Sequence, residues 1–503
     1  MKHPSKVIII GAGIAGLASA IRLAVQGFEV TVFEKNNYPG GKINHFFLNG
    51  YSFDVGPSLF TQPENLQELF VLANESIDNF FNYQNVPVTC RYFYEDGIIL
   101  NAYSDTQQFA KELREKIGED SSKVLLYLQR SSRLYHNIGD IFLNHSLHKR
   151  KTWLQWQVIR GLASVKWRYL FKSMNSINTH SFVKAHTVQL FNRYATYNGS
   201  NPYKAPGMLT VIPHLEYNEG VFYPKGGMIS IVNALYKLAL KKGVQFYFNT
   251  PVKRIIHHEG IVQGVESGDE NHDADTVVSN IDIYFTYKNL LGDENSAQKI
   301  LKHERSSSAL VFYWGINKEF PQLHLHNIFF SKNYQSEFHH LFKFKKVYND
   351  PTVYINITGK MEPGTQAPAG KENWFVMVNA PADAGQDWNV IKQQCRASII
   401  SKLNRLLQAD VEPLIEAEET LDPLLIEAGT SSFMGSIYGN SSNSVMAAFL
   451  RHPNFSKTIK GLYFAGGSVH PGGGIPLCLK SAKIACKLIE ADKKIKINFS
   501  AMQ

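Results

Sequence analysis

Four consecutive apolar residues at 7–10 lead into a turn of small residues and then a second apolar run at 14–20. This reads as a short buried strand, a tight turn and a helix. Residues 28–33 form a second apolar strand. From about residue 59 to 220 the pattern is mainly helical, with i, i+3, i+4 apolar spacing clearest over 105–128. Residues 220–228 then read as a strand into a glycine turn, 229–241 as a helix, 244–248 as another strand and 251–255 as the start of a hairpin. A strand over 274–280 ends in a polar turn at Asn280 and Asp282. Between 307 and 381 the pattern alternates, so 310–315, 352–357 and 374–378 read as strands of a second sheet, expected to be antiparallel. Their aromatic bulk suits an ordinary core and the wall of an apolar cavity equally. A helix over 390–407, a strand over 461–467 and a last helix from 475 to about 490 complete an α/β chain whose first domain is assembled from separated segments.

The first turn reads Gly11-Ala12-Gly13-Ile14-Ala15-Gly16, the G-x-G-x-x-G spacing of a dinucleotide loop. Its glycines permit the bend, the approach of a pyrophosphate and close helix–strand packing, and a helix N-terminus then faces the phosphates. Glu34 ends the second strand, where a carboxylate accepts both ribose hydroxyls of an adenosine and repels a 2′-phosphate. Gly40-Gly41-Lys42 adds a backbone able to run close to a bound cofactor and a cation expected to meet its phosphates. Gly466 and Gly467 follow the last strand, and Gly472-Gly473-Gly474 precede Ile475 at the start of the last helix. That helix N-terminus carries partial positive charge able to stabilise a nearby anion.

Composition narrows the class. The 503 residues, 44% of them hydrophobic, suffice for two or three domains. Four cysteines, Cys90, Cys395, Cys478 and Cys486, lack C-x-x-C spacing, which argues against a disulfide framework or a metal site and fits a reducing cytoplasm. Lys2 and Lys6 before an apolar run mimic a signal peptide, but glycines interrupt that run, and no segment reaches the ~18 apolar residues of a membrane span. A soluble or peripherally bound protein is expected. The net charge of +9 is concentrated: no acidic residue lies between Asp140 and Glu216, whereas Lys149, Arg150, Lys151, Arg160, Lys166, Arg168, Lys172, Lys184, Arg193 and Lys204 do. Trp153, Trp156 and Trp167 share the stretch, a composition suited to an anionic membrane interface. A solvated basic face and nucleic acid are the other readings; nucleic acid is the weakest.

With Gly40-Gly41 so soon after the first strands, the chain resembles the flavoproteins in which a Rossmann-type fold holds FAD along its length. Phe53-Asp54-Val55-Gly56-Pro57, Tyr223-Pro224-Lys225-Gly226-Gly227-Met228 and Val469-His470-Pro471-Gly472-Gly473-Gly474-Ile475-Pro476 together resemble the bacterial-type carotenoid desaturases over essentially the whole chain. Tyr197-Asn198-Gly199-Ser200-Asn201-Pro202-Tyr203 and Ile212-Pro213-His214-Leu215-Glu216 look most like the subfamily that desaturates the 3,4 bond of 1-hydroxylated carotenoids. Phytoene desaturase is the alternative, and carotenoid isomerases and saturases share the scaffold. A flavin amine oxidase with FAD attached through Cys478 and a carotenoid-binding protein with a vestigial flavin site are the readings from other classes.

The resemblance implies non-covalent FAD, a carotenoid substrate drawn from a membrane, hydride transfer from an allylic carbon to flavin N5, and oxygen or a quinone as electron acceptor. It implies a cytoplasmic protein peripheral to the membrane. It adds Lys35, Gly56, Pro57, Ser58, Val252 and Asn280 to the cofactor contacts already named. Residues 1–75, 221–290 and 431–492 would form the FAD-binding domain, 76–220 a helical cap meeting substrate and membrane, 291–430 a substrate domain with a mixed sheet, and 493–503 a basic tail. His214, Glu216 and His470 are candidates for a base, each more readily read as structural, and no catalytic side chain is assigned.

Overall fold

The computed structural model describes residues 5–153, 156 and 167–493. Arg160 and Lys166 of the basic stretch and residues 494–503 of the tail lie outside the described residues, as do the side chains of Arg150 and Lys151.

The apolar run at 7–10 is a central strand buried on both faces, as parallel strands are. β1 (Lys6–Ile10), β2 (Glu29–Phe33), β3 (Gln245–Tyr247), β4 (Thr276–Ser279) and β5 (Leu462–Phe464) form a five-stranded parallel sheet in the order β5-β4-β1-β2-β3. Ile9 sits between Val32 and Val278 in register. Val7 and Ile9 pack against α1 (Ile14–Val25), α2 (Ile229–Lys241) and α3 (Ile475–Lys493). Ile8 and Ile10 point the other way, into a core with Ile255, Val262 and Val265. Those residues belong to a three-stranded antiparallel sheet, Val252–His258, Ile261–Ser267 and Glu270–Asp273, one strand more than the expected hairpin. The domain is thus assembled from chain segments more than 400 residues apart, as β5 and α3 join β1 and α1.

The second sheet has seven strands in the order Ile415–Leu421, Ser308–Ile316, Glu372–Ala380, Val353–Asn356, His326–Phe329, Val88–Phe93, Ile99–Tyr103. It is mixed, because His326–Phe329 runs parallel to Val88–Phe93 while the other pairs are antiparallel. Two of its strands therefore come from the stretch expected to be helical. They are short, and a turn at Gly97 breaks an alternation that is hard to distinguish from the surrounding helical periodicity. Alternate residues divide the sheet's faces. Leu310, Phe312 and Trp314 pack under the helix Trp388–Leu407. Ala309, Val311 and Phe375 face the opposite side, toward the hairpin Asn44–Leu48/Tyr51–Val55.

The remainder of the expected cap is helical. Its 105–128 segment is two helices, Thr106–Ile117 and Ser121–Leu134, each N-capped by an aspartate, Asp105 and Asp120, and separated at Gly118. They pack with Met174–Ser181 and Ala185–Asn192 around Phe109, Leu113, Phe182 and Phe191.

Candidate active site

The dinucleotide loop is built by close backbone approach. A Cβ at Gly16 would stand 2.0 Å from the Gly11 carbonyl oxygen, so only glycine lets α1 start against the end of β1. Asn280, at the end of β4, ties the loop together: its Oδ1 accepts from the Gly16 amide at 3.0 Å, and its Nδ2 donates to the Ala465 carbonyl at 2.9 Å. Glu34 is buried at the end of β2. Its Oε2 accepts from the Ala12 amide at 2.7 Å and its Oε1 from the Asn36 amide at 3.0 Å, leaving lone pairs on both oxygens beside the loop. Gly40 donates its amide to the Ala12 carbonyl at 2.9 Å, which lays Gly40-Gly41 against the first turn.

These elements open into one cavity of about 1190 Å³. That exceeds the roughly 300–1,000 Å³ of a pocket for one drug-sized ligand. Gly11, Gly13, Ile14, Ala15, Glu34 and Lys35 line one end, with Gly40, Gly41, Lys42, Gly56, Pro57 and Ser58 beside them. Val252, Asn280, Gly467, Gly474 and Ile475 complete that end, whereas Ala12, Gly16 and Gly466 are not among the lining residues. Gly474 has φ +106, and a Cβ there would meet no protein atom within 4 Å, so the space beside it is open to a planar ligand. The buried ribose-type acceptor, the glycine loop and the open backbone at α3 fit FAD, and these residues would hold it. Lys42 lines the cavity, and its ammonium donates to the Ile437 carbonyl at 2.8 Å. Burial lowers its pKa. Lys35 donates to the Ala428 carbonyl at 2.7 Å. Cys478 lines the cavity in the first turn of α3, and burial pushes its thiol up to about 11, away from the reactive thiolate.

Beyond the cofactor end the walls become apolar. Val311, Phe375 and Met377 come from the second sheet, and Met208, Leu209 and Ile212 from the helical layer. The alternating strands therefore serve as both core and cavity wall. Set among these residues is a buried ion pair, Arg193 Nη2 to Glu216 Oε2 at 3.2 Å, with the Tyr194 hydroxyl also donating to Glu216. Arg193, expected on an exposed basic face, lies inside instead: its guanidinium is 4.4 Å from the Tyr194 ring centroid, and the aromatic contact together with Glu216 replaces water. Among the expected bases, Glu216 lines the cavity in that pair. His470 also lines it, donates from Nε2 to the His145 carbonyl at 3.0 Å, and is pushed down to about 4 by burial. His214 is not among the lining residues; its Nε2 lies 3.4 Å from Glu219.

Sequence reasoning named Ser58 as a cofactor contact but missed the two side chains in line with it on the wall, Tyr354 and His326. His326 Nδ1 lies 2.7 Å from the Tyr354 hydroxyl, which is 2.8 Å from Ser58 Oγ. No motif marks that pair; only the strand periodicity that puts Tyr354 and Asn356 on one face opposite His326 foreshadows it.

A family model described as flavin-containing amine oxidoreductase matches residues 14–489. The chain is 50% identical to a 1-hydroxycarotenoid 3,4-desaturase of Flavobacterium sp. (strain P99-3), over 96% of this chain and 99% of that one. It is 30% identical to a phytoene desaturase of Fusarium fujikuroi, over 98% of this chain and 90% of the other. An oxidoreductase from Methanosarcina mazei has the same fold, with a TM-score of 0.62 at 15% identity over 96% of this chain and 100% of its own. The glycine loop, the Glu34 acceptor and these likenesses agree: the chain is an FAD-dependent oxidoreductase belonging to the flavin-containing amine oxidoreductase family and, within it, to the carotenoid desaturases.

Proposed function

We propose that this protein introduces the 3,4 double bond into a 1-hydroxylated carotenoid. The observation that carries this reading is the 50% identity to the Flavobacterium enzyme over nearly the whole of both chains. The joined cavity supports it, with dinucleotide-binding elements at one end and an apolar wall beyond.

FAD, when bound, supplies the two-electron acceptor for a hydride lost from the allylic carbon. The protein's share is geometric. The wall formed by Val311, Phe375, Met377, Leu209 and Ile212 holds the polyene in one orientation and keeps water from it. Charge left on the substrate spreads over its conjugated system, so no counter-charge in the wall is required, and the second hydrogen leaves the neighbouring carbon as a proton taken up by a base or by water. Glu216 is held by Arg193 and Tyr194, and His470 donates to His145; neither is assigned as the base.

The substrate is delivered from lipid. At about 0.8 kcal/mol per buried CH₂, a forty-carbon chain costs on the order of 30 kcal/mol to expose to water. A surface suited to that delivery flanks the cavity. Trp167 and Phe171 are 76% and 72% exposed and adjoin Arg168 and Lys172 in the chain; Trp156, 72% exposed, follows Lys149 by seven positions. Tyr169 and Leu170, from the same helix as Phe171, pack against Met208, which lines the cavity. No helix among the described residues is long and apolar enough to cross a membrane. The exposed aromatic and basic side chains support a peripheral membrane enzyme, with oxygen or a membrane quinone as terminal acceptor.

An absorption spectrum tests the reaction. FAD-loaded protein in liposomes is incubated separately with a 1-hydroxylated carotenoid and with phytoene. A red shift matching one added double bond with the hydroxylated substrate alone is expected. New visible bands from phytoene alone would transfer the assignment to phytoene desaturation.

A further inference from the structure

We propose that Ser58 recognises the substrate's 1-hydroxyl by accepting its hydrogen bond, with Tyr354 and His326 as positioning residues that orient the serine. The inference rests on the 3,4-desaturase reading and names the residue that would make it specific for hydroxylated substrates.

The hydrogen-bond directions follow from the side chains present. Asn356 Nδ2 is 3.1 Å from His326 Nδ1 and also donates to the Leu325 carbonyl at 3.1 Å, which sets the orientation of the amide. An amide nitrogen is only a donor, so Nδ1 of His326 is an acceptor. Burial pushes the imidazole down to about 3, so the ring is neutral; with Nδ1 set as the acceptor by Asn356, its single proton is on Nε2, which is buried with no hydrogen-bond partner among the described residues. The Tyr354 hydroxyl, 2.7 Å away, therefore donates to Nδ1. Having donated its only proton, Tyr354 accepts from Ser58 Oγ at 2.8 Å. Ser58 Oγ is left with its proton spent and its lone pairs available. Ser58 is half-buried and lies on the cavity wall, so it presents a neutral acceptor to whatever occupies the cavity.

Its location suits the chemistry. In a 1-hydroxycarotenoid the hydroxyl-bearing carbon is separated from the nearer carbon of the 3,4 bond by only two carbon–carbon bonds of about 1.5 Å each. A group that reads the hydroxyl must stand beside the reacting bond, at the cofactor end rather than deep in the apolar wall. Ser58 meets that condition. It follows Gly56, whose backbone is so close to Lys42 that a Cβ would lie 1.9 Å from the Lys42 carbonyl oxygen, and Lys42 continues directly from the Gly40-Gly41 strap on the dinucleotide loop. Glu216 suits the role less well, because Arg193 and Tyr194 already occupy its carboxylate.

The test compares kcat/KM for a 1-hydroxycarotenoid, its 1-methoxy ether and the analogue lacking oxygen at that carbon, using FAD-loaded protein in liposomes. Wild-type protein is expected to favour the alcohol over both analogues, since the ether keeps the oxygen but has no proton to give. Ser58→Ala should lower the alcohol-to-deoxy ratio roughly ten- to a hundredfold, the range for one unsatisfied buried hydrogen bond. Ser58→Thr should restore that ratio. Tyr354→Phe frees the serine to rotate and donate, so it should shrink the alcohol-to-ether ratio. A Ser58→Ala variant that slows all three substrates equally, keeps the wild-type ratios, or no longer retains flavin absorbance overturns the proposal. Wild-type protein that desaturates phytoene and none of the three carotenoids instead overturns the 3,4-desaturase reading itself.

Discussion

At the scale of single residues, the site depends on backbone approaches that a side chain would block. Gly56 combines φ +100 with a would-be Cβ 1.9 Å from the Lys42 carbonyl, so the residue meets both a conformational and a steric barrier. Left-handed backbone alone costs an L-residue about 1–2 kcal/mol. Gly56→Ala is expected to destabilise the protein by at least about 2 kcal/mol and to lower flavin retention, as read by denaturant midpoint and by the flavin absorbance of purified protein. Gly11, Gly13, Gly16 and Glu34 were legible in the sequence because their spacing encodes local geometry. Lys42 was legible as a cavity residue but not in its bond to Ile437, a residue almost 400 positions away. The same reason hid Arg193. Its place in a basic run suggested an exposed cation, whereas a glutamate more than 20 residues downstream and three tyrosine rings hold it inside.

At the scale of elements, strands and helices with clean periodicity matched expectation: β1, α1, β2 and α2, the helix Trp388–Leu407, and α3 beginning at Ile475. The two strands Val88–Phe93 and Ile99–Tyr103 escaped notice because each is short and lies within helical sequence, and strand identity came from pairing with His326–Phe329. The exposed aromatic element around Arg168–Phe171 supports a prediction at this scale. Trp167 and Phe171 stack at 5.6 Å on the outside while Tyr169 and Leu170 are anchored within. Replacing Trp156, Trp167 and Phe171 together by alanine should weaken binding to anionic liposomes at least about tenfold, since each aromatic contributes on the order of 1 kcal/mol or more when it enters the interface. Co-sedimentation measures this. Unchanged liposome binding would reject the membrane role of this element.

At the scale of the whole molecule, buried titratable groups link stability to pH. His326 and His470 are pushed down to about 3 and about 4 by burial, from an ordinary value near 6.5. Their folded pKa values lie below the unfolded one, so the stability they contribute is complete above about pH 6.5 and is lost as pH falls. Each loses on the order of 2 kcal/mol by pH 5. Asp54 acts in the opposite sense. Burial pushes its carboxyl up to about 6, so its contribution is present below about pH 4 and is lost as pH rises through 6. The melting temperature should fall between pH 7 and pH 5, and Asp54→Asn should steepen that fall. A scanning calorimetry series across this range measures both slopes.

The sequence by itself determined what local spacing can encode: the dinucleotide loop, the acidic end of β2, the order of α and β elements, and the motifs that carry the family resemblance. Those features need only a few neighbouring residues to take effect. The tertiary structure decided what depends on residues far apart in the chain. It joined three separated segments into one parallel sheet, brought both ends of the chain to one cavity, drew strands 88–103 into the second sheet, and aligned Ser58, Tyr354 and His326 in a single hydrogen-bond chain. Side chains 28 and nearly 300 positions apart meet there because strand register and sheet packing place them together, and no pattern along the sequence records that meeting.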